Sequence, residues 1–142
     1  MTPEIGQTLP SLQITDLSAE SMKVWARILR DPNPIHLDPE AVHAQGLGDR
    51  VINQGPANLA YVISMLQAAF PQGRIETLDA RYLGNAFAGD NLEAGGQVSA
   101  VESLGEGTRV TCEAWLRAQG RDKVVALRAV LTLPHHSQKR GN

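Results

Sequence analysis

The segment Asp31-Pro32-Asn33-Pro34-Ile35-His36 concentrates a carboxylate, an amide and an imidazole in one short stretch. A carboxylate beside an imidazole suits proton transfer near neutral pH. Each proline pushes the residue before it, Asp31 or Asn33, away from helical backbone angles, so the segment is a loop. With the backbone extended, Asp31 and His36 stand too far apart to touch, and a turn at Asn33-Pro34 would bring them to one pocket. Taken without other information, the segment reads first as a helix-ending turn closed by an Asx hydrogen bond. The remaining reactive side chains offer less. Cys112 alternates with apolar residues and reads as a small core side chain rather than a nucleophile. His43 falls on the solvated face of a short helix, and His135 and His136 stand in a polar tail. Neither Cys112 nor the histidines show zinc-ligand spacing, so no metal is expected.

The elements around the loop follow from capping residues and periodicity. Asp16 or Ser18 can cap a helix from about residue 18 to 30, which the prolines after Asp31 end. Asp38 before Pro39 starts a short helix to about Gln45, and Gly46 and Gly48 stop it. From Gly55-Pro56 to Phe70, Leu59, Val62, Ile63 and Leu66 recur at helical spacing. Ala57, Ala60, Ala68 and Ala69 make that helix apolar over much of its circumference, which predicts a buried, central helix. Everything after Pro71-Gln72-Gly73 has a strand period. Strands are expected over about 76–83 and 91–102, then through Val110, Cys112, Ala114 and Leu116, and last through Val125 to Leu133. Helices first and an antiparallel meander after them make an α+β protein. A curved sheet folded around the long helix at about 55–70 is the economical way to cover it. Residues 1–134 are read as a single domain and 135–142 as a disordered polar tail.

At 142 residues the chain can bury a core without staples and has no room for a second domain of ordinary size. Aromatics make up only 4% of it, so aliphatic side chains must build that core. A net charge of -2 with interspersed signs gives no footprint for nucleic acid or an anionic membrane. Arg50, Arg74 and Arg81 read as ordinary surface cations. The lone cysteine and the absence of a signal pattern or membrane span suggest a cytoplasmic protein.

The run Asp31-x-Asn33-Pro34-Ile35-His36, followed by Leu37-Asp38-Pro39, resembles the signature of the MaoC-like dehydratase, (R)-specific enoyl-CoA hydratase family. The similarity extends to Gly55 opening the central helix and to the Phe87-Ala88-Gly89-Asp90 turn. The resemblance implies a hot-dog fold and a hydro-lyase that adds water to a trans-2-enoyl-CoA or removes it from a 3-hydroxyacyl-CoA. It assigns catalysis to Asp31 and His36, places the Gly55 N–H at the thioester oxyanion, and gives Asn33 a supporting, substrate-binding place in the loop. No cofactor is implied, coenzyme A being part of the substrate. A homodimer is expected, because one such domain leaves a sheet edge and the helix-side cleft incomplete. Leu29-Arg30, Gln54 and Pro56 depart from the family's usual residues, so no acyl group is carried over. The other functional classes for the same fold are an acyl-CoA thioesterase and a non-catalytic acyl-CoA-binding partner subunit.

Overall fold

The computed structural model describes residues 2–135. In chain order its elements are β1 (Leu12–Ile14), α1 (Ala19–Leu29), a 3-10 turn (Pro34–His36), α2 (Pro39–Ala44) and α3 (Gly55–Ala69). Four strands follow: β2 (Arg74–Tyr82), β3 (Leu92–Leu104), β4 (Gly107–Ala118) and β5 (Lys123–Pro134). The expected helices and strands are therefore all present, with ends shifted by a residue or a few. The expected tail lies outside the described residues except for His135, whose Nε2 meets the Gly105 carbonyl at 3.2 Å.

The helix boundaries have local causes. Ser18 Oγ accepts from the backbone N–H groups of Glu20 and Ser21, satisfying two donors that the first turn of α1 leaves open. Asp38 does the same for Glu40 at the start of α2. The segment Asn53 to Phe70 begins α3 with Pro56 in its first turn, where a missing N–H costs nothing.

The five strands form one antiparallel sheet in the order β1-β3-β4-β5-β2. β3, β4 and β5 are joined by tight reversals, while β2 crosses over to pair with β5 and stands at one edge. Along β4, Val110, Cys112, Ala114 and Leu116 are buried and alternate with more exposed neighbours. Period-two alternation puts those four on one sheet face. That face packs on α3 through Val62, Met65 and Leu66, which are essentially inaccessible. This is the hot-dog arrangement of a sheet around a central helix. The burial of α3 is less complete than its composition suggests. Ala57, Asn58, Val62, Met65 and Leu66 are buried, whereas Ser64, Gln67 and Ala68 are exposed. A five-stranded sheet covers one side of a helix, and within one chain the far side stays open to solvent.

Candidate active site

The end of α1 sets the position of Asp31. Arg30 adopts a left-handed conformation, with φ 51° and ψ 44°. Its N–H donates to the Arg27 carbonyl at 3.3 Å, and the Asp31 N–H donates to the Ala26 carbonyl at 2.9 Å. This is the paired hydrogen bonding of a Schellman motif, which satisfies the last carbonyls of the helix and turns the chain sharply. Asp31 is thus the first residue past a fixed helix end.

From there the loop is held by its own side chains. Asp31 Oδ1 accepts from the Asn33 N–H at 3.0 Å, and Asn33 Oδ1 accepts from the Ile35 N–H at 3.3 Å. Asn33 caps the 3-10 turn, and that turn folds the chain back as the Asn33-Pro34 spacing predicts. His36 Nε2 consequently lies 3.3 Å from Asp31 Oδ2. The two side chains meet at the border of the protein: that of His36 is 10% exposed and that of Asp31 35%. Asn33 is exposed, and its recorded bond is to the loop backbone.

A second contact orients the imidazole. His36 Nδ1 lies 2.7 Å from the Ile52 carbonyl, while the Ile52 N–H donates to the Ile35 carbonyl at 2.9 Å. A carbonyl oxygen only accepts, so Nδ1 carries a hydrogen, and Nε2 is the nitrogen that faces Asp31. Such a pair can take a proton from a molecule at its open side and give it back.

The same strand-like segment leads into α3. Asn53 donates from its backbone to Ala86 and from its side chain to Asn58 Oδ1 at 2.7 Å. Gln54 Nε2 donates to the Met22 carbonyl of α1 at 2.8 Å, which ties the start of α3 to the helix that carries Asp31. Gln54 Oε1 is buried without a hydrogen-bond partner among the described residues. Gly55 follows as the first residue of α3, where backbone N–H groups have no partner within the helix. A Cβ there would stand 3.2 Å from Tyr82 Cε1, so glycine makes room for the Tyr82 ring against this N-terminus. Near the second turn of α3, burial pushes the Tyr61 phenol pKa up and a hydrogen bond with Asn53 partly offsets it.

These links among Asn53, Gln54, Asn58 and Met22 were not foreseen from sequence, since amide side chains beside a helix start carry no distinctive spacing. Of the arginines, Arg50 and Arg74 pair with Asp90 and Glu76. Cys112 is buried among core residues and His43 is exposed, as expected of both. Among the described residues no cluster of His, Cys, Asp or Glu could hold a metal ion. No helix among them is long and apolar enough to cross a membrane.

A family model for the MaoC like domain matches residues 2–115. The chain belongs to the MaoC-like domain family. It is 30% identical over 125 residues to a UPF0336 protein of Clavibacter michiganensis subsp. michiganensis, covering 80% of this chain and 82% of that protein. The structure of the (R)-hydratase from A. caviae involved in PHA biosynthesis superposes with a TM-score of 0.82 at 24% identity, over 92% of this chain and 97% of that one. A chain of the ChsH1-ChsH2 complex from Mycobacterium tuberculosis gives a TM-score of 0.79 at 20% identity, over 93% and 99%. At these identities the two structures establish the shared fold. The MaoC-like family membership rests on the domain match.

Proposed function

We propose that this chain is a hydro-lyase that reversibly hydrates a trans-2-enoyl-CoA. The observation that carries the reading is the doubly anchored His36: Nδ1 is spoken for by the Ile52 carbonyl, and Nε2 faces Asp31. A ring fixed in this tautomer accepts a proton from water at Nε2 without reorienting. In the hydration direction the water oxygen bonds to the β-carbon and its proton passes to the Asp31–His36 pair. A proton then reaches the α-carbon, and the carbon–carbon double bond becomes single. Negative charge gathers on the thioester oxygen during addition, and the Gly55 N–H at the start of α3 is suited to receive it, with the helix dipole adding to the hydrogen bond. Asn33 supports the substrate-side loop. The reverse reaction expels water from a 3-hydroxyacyl thioester through the same groups.

We further read the working unit as a homodimer in a reducing cytoplasm. The outer edge of β2, the exposed Tyr82 and Leu83 beyond it, and the open side of α3 all favour a second copy over a free monomer. One matched chain of this fold comes from the ChsH1-ChsH2 complex. It supplies the alternative in which a partner brings the chemistry.

The test follows the enoyl-thioester absorbance of crotonyl-CoA and longer trans-2-enoyl-CoAs, with free thiol monitored in parallel. Loss of the band without thiol release is expected. Asp31→Asn and His36→Ala should each lower kcat by about 10²–10⁴-fold, and Gly55→Ala by about 10²-fold through shielding of its N–H. Thiol release would reassign the protein as a thioesterase. An unchanged band at every chain length, with acyl-CoA still bound, would make it a non-catalytic subunit.

A further inference from the structure

A groove of about 810 Å³ runs along the exposed face of α1 and ends at Asp31. Val24, Pro32 and Leu37 give it an apolar wall, and Val24 and Leu37 are 44% and 40% exposed. Arg27 and Arg30 stand on its lining beside them. Neither forms an ion pair among the described residues; of the other cations without one, Arg117 and Lys123 stand over the Trp115 ring, and Arg81 lies on β2 away from this groove. Lys23 and Glu20 pair with each other on the same lining, and Asp31 lies at the candidate active site, so Arg27 and Arg30, three positions apart on an apolar groove, are the cations left for an amphipathic anion.

Arg30 adds an independent observation. Its φ of 51° lies in the region that L side chains rarely adopt and that glycine enters without penalty. The side chain is therefore held at the C-terminus of α1 against a conformational cost. Strain of this kind next to a candidate active-site carboxylate points to a role for the side chain itself.

We propose that this groove receives the carrier portion of the substrate: Arg27 and Arg30 take the phosphates of coenzyme A, and the pantetheine arm lies on Val24 and Leu37 toward Asp31. The proposal rests on the enoyl-CoA reading and adds to it a specific site for carrier recognition. Guanidinium groups suit the task because their planar fork bonds two phosphate oxygens at once. Coenzyme A fits better than an acidic carrier protein. Two arginines on a lining that also carries Glu20 and Asp31, on a chain of net charge -2, make a compact anion site and no broad basic face.

The experiment compares the enoyl-CoA with the N-acetylcysteamine thioester of the same acyl group, which lacks every phosphate. Arg27→Ala and Arg30→Gly are each expected to lower kcat/KM for the CoA ester about tenfold more than for the truncated ester, through KM. Arg30→Gly should at the same time raise Tm, since it relieves the left-handed backbone. Calorimetric titration with free coenzyme A reads the site without turnover, and both variants should weaken that binding by a similar factor. Equal losses on the two esters would mean a structural role and overturn the proposal. So would unchanged coenzyme A binding in both variants, or an acyl-carrier-protein thioester whose kcat/KM depends on these arginines when that of the CoA ester does not. Arginine-dependent coenzyme A binding by a protein that hydrates no ester would uphold the groove and refute the hydro-lyase.

Discussion

His36 illustrates how little a residue type says until its second nitrogen is accounted for. The Ile52 carbonyl fixes the hydrogen on Nδ1, and this decides what Nε2 can do opposite Asp31. Cys112 makes the contrasting case of a reactive group kept silent. It is fully buried on the inner face of β4, where burial first and the Glu113 charge second push its thiol pKa from 9.0 to about 11. The sign of the resulting pH dependence is set by which state holds the proton. Below pH 9 both folded and unfolded chains keep it, so the native advantage is intact. Between about pH 9 and 11 the unfolded thiol ionises first, and folding stability falls by about 2–3 kcal/mol. Denaturant titrations at pH 8 and pH 11 should show this loss in the native chain, with a smaller loss in Cys112→Ala. Thiol reagents should label Cys112 only on unfolding.

At the scale of elements, the turn before β3 is braced from two other segments of the chain. Asp90 accepts from the Phe87 N–H at 2.8 Å, from Arg50 at 3.0 Å and from Arg121, and its side chain is only 10% exposed. Arg50 and Arg121 each lie 5.2 Å from the centroid of the Phe87 ring. The carboxylate thereby joins the segment before α3, the β2–β3 turn and the β4–β5 turn. Asp90→Ala should cost about 2–4 kcal/mol and lower Tm accordingly, a loss readable by calorimetry. Much of this layout was legible in the sequence. The caps at Ser18 and Asp38, the prolines after Arg30, the period of the α3 segment and the alternation in the last two strands each state their element locally. The Asp31-to-His36 turn was legible as chemistry through its resemblance to a family signature. Three features were hidden, because each depends on long-range placement: the anchor from Ile52, the bond from Gln54 to Met22, and the convergence of Arg50 and Arg121 on Asp90. The incomplete cover of α3 was hidden for the same reason, since periodicity reports apolar character and not how wide a sheet will be.

For the whole molecule, the sheet ends at β1 on one side and β2 on the other, and the two edges differ. β1 has three residues and presents little unpaired backbone, while β2 has nine. A long edge left unpaired among the described residues, beside exposed Tyr82 and Leu83, is a surface for another strand. Light scattering from the purified protein should therefore return twice the mass of one chain at micromolar concentration. A monomer at that concentration would remove the argument for self-association and make a different partner chain the better explanation of the open edge.

The order of the elements along the chain also bears on how the protein is made. α3 has left the synthesis site by residue 69, yet the strands it packs on are not complete until β5 ends at Pro134. At cellular elongation rates that interval is roughly 3–13 s, far longer than a helix or a hairpin needs to form. During it, the apolar stripe of Val62, Met65 and Leu66 has no sheet to cover it. The nascent chain must therefore pass through a phase in which its future core is its stickiest surface, and ribosome-associated chaperones would meet this helix before the sheet does.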